Sequence, residues 1–203
     1  MPRPPIPRWL PNAISVLRVL LVPLWAWCAE HANRLFEAGA DGSEARSAAA
    51  LVLVTIGLSD ALDGWLARRF ALQSGLGANL DAIADKLAQI VMVTYLALRH
   101  GPAFPALPPW FLGLLIARDA LLVLGCFAIW RRRGRVETEH GWHGKAASLG
   151  LFVVLVACNF AVGDAVAATL VGVTAVLVVA STTIYTCDGV RQFRGRSGDA
   201  AAS

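Results

Sequence analysis

Four aspartates stand in two close pairs within an otherwise apolar part of the chain: Asp60 with Asp63, and Asp81 with Asp85. The spacings are i,i+3 and i,i+4, so on helices each pair shares one face. An ionised carboxylate at the centre of a bilayer costs about 2.5 to 3.5 kcal/mol on insertion scales, so four left bare would cost roughly 10 to 14 kcal/mol. Membrane segments retain such groups for function. Converging carboxylates repel one another unless cations are present, and hard oxygen donors select Mg²⁺, Mn²⁺ or Ca²⁺ over Zn²⁺. Two ions in one site are the natural reading. Such a pair polarises a phosphoryl oxygen and stabilises a leaving phosphate, which suits a pyrophosphate substrate. Gly64 and Ala67 lie on the face of Asp60 and Asp63 and leave room for a ligand, while Arg68 turns a fork of donors toward phosphate.

These residues must be positioned by membrane helices. Of the 203 residues, 57% are hydrophobic and 16% charged, with a mean hydropathy of +0.58, well above a soluble domain. Six apolar stretches are expected as spans: about Ile14 to Cys28, Ala48 to Leu66, Leu80 to Leu98, Trp110 to Trp130, Ala147 to Val162 and Ala165 to Tyr185. Each is near the ~20 residues needed to cross. Short loops join them, with a tight hairpin at Gly163 and Asp164. The predicted fold is an all-α integral membrane protein of six transmembrane helices, one domain over 1–190 followed by a basic disordered tail, 191–203.

Loop charge sets the topology. Twelve Lys and Arg residues fall on the side that holds both termini, and only Arg34, Arg46 and Arg99 on the other, so the termini are expected to be cytoplasmic. The formal charge of +4 is then assigned to loops beside anionic lipid rather than to nucleic acid. Arg18, Lys86 and Arg118 fall inside spans and need another explanation. Arg18 also interrupts the first apolar run, which argues against a cleaved signal peptide there. At 1.5 Å per residue, Asp63 and Asp60 lie about 8 and 12 Å back from Arg68, and Asp81 and Asp85 about 6 and 12 Å beyond Gly77. Both pairs therefore reach one depth near the cytoplasmic surface.

The run Asp60, Asp63-Gly64, Ala67-Arg68, Gly77, Asp81 and Asp85 resembles the signature of the CDP-alcohol phosphatidyltransferase family, with eight fixed residues over 26 positions. The resemblance implies that Asp60, Asp63, Asp81 and Asp85 hold two Mg²⁺ or Mn²⁺ ions and that Asp85 is also the general base. It implies that Gly64, Arg68, Ser74 and Gly77 bind CDP-diacylglycerol. It further implies transfer of a phosphatidyl group to an alcohol with release of CMP, in a homodimer of the bacterial inner membrane whose site faces the cytoplasm.

Weaker features bear on the acceptor. Ala84-Asp85-Lys86 and the opening Pro11-Asn12-Ala13-Ile14-Ser15-Val16-Leu17-Arg18 resemble the branch that contains phosphatidylglycerophosphate synthases and CMP-forming cardiolipin synthases. Ala82 departs from the Pro common there, and Arg118-Asp119 is more like the cardiolipin-synthase version. Gly144-Lys145 is similar to a pair in the phosphatidylglycerophosphate synthases. Glycerol 3-phosphate is the expected acceptor, held by Arg118 and Lys145, with phosphatidylglycerol as the main alternative and inositol-type or other alcohols after it.

The same residues admit other readings. Isolated aspartates near span ends are often helix caps, and Arg68-Arg69 can be a topology anchor alone, but neither accounts for the joint pattern. A cation or proton transporter also places acids in a membrane; here the acids form one shallow cluster with no relay toward the far side. His140 and His143 form an HxxH with zinc-ligand spacing, in a polar segment that reads as a solvated loop. Cys28, Cys126, Cys158 and Cys187 are scattered and show no CxxC spacing.

Overall fold

The computed structural model of the chain describes residues 10–70, 75–99, 101–133 and 142–194, with side chains over 13–60, 62, 83–99, 101–131 and 144–190. Among the described residues six α-helices follow one another: α1 (Leu10–Glu37), α2 (Ser43–Phe70), α3 (Gly75–Leu98), α4 (Pro109–Arg133), α5 (Trp142–Asn159) and α6 (Asp164–Arg194). Five of the six apolar stretches each lie inside one helix that runs further, whereas the stretch Ala147 to Val162 passes the end of α5 at Asn159 into the turn before α6. An apolar count stops where lipid contact stops, whereas a backbone helix continues until it is capped. Thus α6 carries through Arg194, and the remainder of the expected tail lies outside the described residues.

Three segments, Ala13–Glu37, Pro109–Arg131 and Asp164–Val190, are long and apolar enough to cross a membrane, and Gly144–Asn159 is a shorter apolar helix. Among the described residues the protein is all-helical, and three of its helices have the length and apolar character of membrane spans. It gathers into two compact units, Met1–Leu107 with Leu155–Asp164, and Pro108–Val154 with Ala165–Ser203.

In the first unit α1 packs against α2 and α3. The α1 seam is Arg18, Val22, Trp25, Ala29 and Ala32, all buried and alternately four and three residues apart, as one helix face requires. Small residues meet it: Ala49 and Ala50 from α2, and Ala84, Ala88 and Ala97 from α3, which let the helix backbones come close. Larger side chains, Leu53, Met92, Val93 and Leu96, fill the rest.

Caps account for the turn between α1 and α2. Gly39 takes the left-handed conformation, φ 73°, while its N–H donates to the Phe36 carbonyl at 3.1 Å and that of Ala40 to Leu35 at 2.9 Å, the paired bonds of a Schellman motif. The Asp41 carboxylate then accepts from the Ser43 N–H at 2.9 Å, capping α2. Gly42 is held to glycine by space, since a Cβ there would lie 2.7 Å from the Ala32 carbonyl oxygen. The α5 end repeats the Schellman pattern, with Ala161 rather than glycine at the left-handed position, φ 49°.

A polar network closes the far end of the first unit. Tyr95 donates to Glu30 at 3.1 Å, Asn33 to Tyr95 at 2.8 Å, and Arg99 to Glu30 and Glu37 at 3.1 and 3.2 Å. The Ala103 N–H donates to Asn33 at 2.9 Å, which draws the 99–107 loop onto α1.

In the second unit, Ala167, Val171, Thr174, Val178 and Ser181 form the buried seam of α6. There α5 crosses closely: a Cβ at Gly150 would lie 3.0 Å from the Thr174 hydroxyl, and one at Gly144 2.6 Å from the Tyr185 hydroxyl.

Candidate active site

Three seams converge on charge. The α1 seam carries Arg18. On α2 the buried Ala49, Leu53 and Ile56 lead at helical spacing to Asp60, and on α3 the buried Ala88, Met92 and Leu96 lead back to Asp85. Arg18 Nη1 lies 3.4 Å from Oδ1 of Asp60 and donates a hydrogen bond to Oδ1 of Asp85. The arginine side chain has 0% exposed surface, while those of Asp60 and Asp85 are 50% and 45% exposed. A buried guanidinium is tolerated only when its charge is paired, and α2 and α3 each supply a partner.

This arrangement brings together Asp60 and Asp85, residues expected to share a site, and adds Arg18, which sequence reasoning left unexplained. A signal for Arg18 existed: it continues the spacing of Val22, Trp25, Ala29 and Ala32, so its side chain had to enter the helix junction.

Asp63 follows Asp60 within one turn of α2, and Asp81 precedes Asp85 by about one turn of α3. Gly64 and Arg68 also lie in α2 and Gly77 in α3, but the side chains at these positions, and all of Ser74, are outside the described residues. So are the His140 and His143 side chains.

Asp60 and Asp85 offer donor chemistry suited to a divalent cation, though two carboxylates are short of a full ligand set among the described residues and the Asp63 and Asp81 side chains lie outside them. The carboxylate oxygens of Asp60 and Asp85 are hard donors, they arrive from two helices, both side chains are half open, and both already face a positive nitrogen. Lys86 Nζ lies 3.4 Å from Gln89 Oε1 on its own helix.

Arg118 and Lys145 belong to the second unit. Arg118 on α4 is half-buried, and its Nε is buried without a hydrogen-bond partner among the described residues, a donor suited to an anion. Lys145 is exposed in the first turn of α5, beside the Gly144–Tyr185 approach.

Among the described residues, no carboxylate or basic side chain follows Arg18 along the α1 seam before the Glu30 network. Val22, Trp25 and Ala29 separate Arg18 from the Glu30 network, twelve residues on, or about 18 Å along the helix. That separation weighs against an ion relay.

The CDP-alcohol phosphatidyltransferase family model matches residues 8–184. The CMP-forming cardiolipin synthase of Streptomyces coelicolor is 35% identical over 142 residues, 70% of this chain and 60% of that protein. The CDP-diacylglycerol–glycerol-3-phosphate 3-phosphatidyltransferase of Pseudomonas fluorescens is 33% identical over 153 residues, 72% of this chain and 71% of that protein. The chain spans about three-fifths of the length of several curated bacterial relatives, the Streptomyces cardiolipin synthase among them.

Proposed function

Because the chain belongs to the CDP-alcohol phosphatidyltransferase family, we propose that it transfers a phosphatidyl group from CDP-diacylglycerol to glycerol 3-phosphate and releases CMP. The observation that carries this reading is the meeting of Asp60 and Asp85, from different helices, at one buried guanidinium.

Asp60, Asp63, Asp81 and Asp85 would hold two Mg²⁺ or Mn²⁺ ions. The chemistry that such ions supply is neutralisation and polarisation of the phosphate oxygens. Asp85, half-exposed, accepts the proton of the acceptor hydroxyl. The acceptor oxygen forms a bond to the lipid-side phosphorus as the bond from that phosphorus to the CMP oxygen breaks, and CMP departs with the electron pair. Gly64, Arg68, Ser74 and Gly77 hold the donor, and Arg118 and Lys145 orient the phosphate of the acceptor.

In this reading α2, α3 and α5 also cross the bilayer. The acids of α2 and α3 need not face lipid, because Arg18 lies against Asp60 and Asp85. The loop-charge bias puts both termini and the acidic site on the cytoplasmic side of a bacterial inner membrane. The working form is a homodimer.

A second reading takes phosphatidylglycerol as acceptor. It is favoured by Arg118-Asp119 and by similarity to the Streptomyces cardiolipin synthase. Purified protein given CDP-diacylglycerol with glycerol 3-phosphate, phosphatidylglycerol or inositol should release CMP fastest with glycerol 3-phosphate, and chelator should abolish release. CMP release that is independent of any acceptor alcohol, or ion flux without it, would overturn the assignment.

A further inference from the structure

We propose that Arg18 is a tethered stand-in for a divalent cation, balancing Asp60 and Asp85 while no metal is bound and weakening the site's hold on metal when one arrives. The inference rests on the metal-dependent reading of the site.

Two observations carry it. One guanidinium nitrogen contacts carboxylates from both α2 and α3, so a single positive charge joins the three helices. The exposure is also asymmetric: Arg18 lies behind at 0%, while the carboxylates stand in front at 50% and 45%. An ion arriving from the open side meets the acids without unpacking α1.

The guanidinium and the ion then share the same two carboxylates. Like charges at that range repel, so each weakens the other's hold, and by linkage the effect is reciprocal. Without metal, loss of the Arg18 charge leaves two carboxylates facing each other between packed helices. With metal, the ion takes over the bridge. An arginine that served packing alone would be equally important in both conditions, which separates the two roles.

The test uses the full chain in detergent, comparing wild type with Arg18→Gln and Arg18→Lys. Mn²⁺ affinity is read from the electron paramagnetic resonance of free Mn²⁺. Thermal unfolding is read from reaction of the buried Cys28 and Cys158 thiols with a fluorogenic maleimide, in chelator and in saturating Mg²⁺. Arg18→Gln should bind Mn²⁺ at least about fivefold tighter than wild type. Its unfolding temperature should fall in chelator and recover most of the deficit in Mg²⁺. Arg18→Lys keeps the charge and should remain near wild type in both measurements. Equal or weaker Mn²⁺ binding by Arg18→Gln, an equal thermal deficit with and without Mg²⁺, or failure to fold even in saturating Mg²⁺ would each overturn the proposal alone. Absence of Mn²⁺ binding by wild type would instead remove the metal-dependent reading, and this inference with it.

Discussion

The indole Nε1 of Trp25 donates to the side-chain oxygen of Asn159 at 2.9 Å, joining residues 134 positions apart. Asn159 in turn donates to the Leu155 carbonyl at 2.8 Å, and the indole meets the Tyr95 ring edge-on at 5.5 Å. The C-terminal end of α5 is thereby fixed to α1, two turns along the seam from Arg18. Removing the acceptor leaves a buried N–H unpaired, which costs about 1 to 3 kcal/mol. Asn159→Ala should therefore lower the unfolding temperature by roughly 2 to 4 °C per kcal/mol lost, for a chain of this size. Trp25→Phe removes the donor as well as volume. The double variant should lose less than the sum of the two singles, because both remove one bond; additive losses would mean that the bond contributes nothing of its own.

The cap on α2 predicts a pH dependence outside the membrane. Bonds from the Ser43 backbone and then its side chain hold the Asp41 carboxyl below its ordinary value. A carboxyl whose folded value is depressed contributes stability above its unfolded value, and that contribution is lost as pH falls through the folded value. Asp41→Ala should thus unfold at a lower temperature than wild type at neutral pH, and the gap should close as pH drops below about 4. Asp41→Asn still accepts from Ser43 but cannot titrate, so its stability should lack this component of pH dependence. Paired melts from neutral to acid pH check the sign, and a gap that widened on acidification would contradict it.

How much was legible in the sequence depended on the range over which each feature is encoded. Local apolar runs mark the helices, because burial against lipid and against neighbouring helices both leave hydrophobic residues in sequence. The meeting of Asp60 and Asp85 was legible for the same reason: helix rise and one short linker put them at equal depth. Arg18 was visible as a charge out of place, but its partners are 42 and 67 residues away, and only packing of α1 between α2 and α3 joins them. The Glu30–Tyr95–Arg99 network and the Gly144–Tyr185 approach have no local pattern at all, since each depends on side chains from separate helices or loops.

Asp60 and Asp85 should be unequal to their amides. Each Asp→Asn change keeps shape while removing a charge, and as metal ligands both should lower CMP release by at least ~10²-fold. The same changes leave Arg18 short of one counter-charge, so the thermal melt must be recorded beside the rate. A large loss of rate with the fold intact is the expected result. Retention of most activity in both Asp60→Asn and Asp85→Asn would remove the acidic pair from the chemistry.

The acceptor side can be tested through a contact that the chemistry does not touch directly. Gly144 passes so close to α6 that a Cβ would lie 2.6 Å from the Tyr185 hydroxyl. That hydroxyl is the far end of a side chain, so Gly144→Ala should fold, with the phenol or the first turn of α5 displaced beside Lys145. If Lys145 holds the acceptor phosphate, both Lys145→Ala and Gly144→Ala should raise the KM for glycerol 3-phosphate, the former roughly tenfold, as expected for loss of a charge-assisted bond. The KM for CDP-diacylglycerol should move less, because the donor is assigned to α2, α3 and the linker between them. Arg118→Ala should behave like Lys145→Ala, its buried Nε having no other hydrogen-bond partner among the described residues. A preference for phosphatidylglycerol would change the acceptor while leaving the acidic site intact. Unchanged acceptor kinetics in both the Arg118 and the Lys145 variants would sink the pocket, whatever alcohol the protein uses.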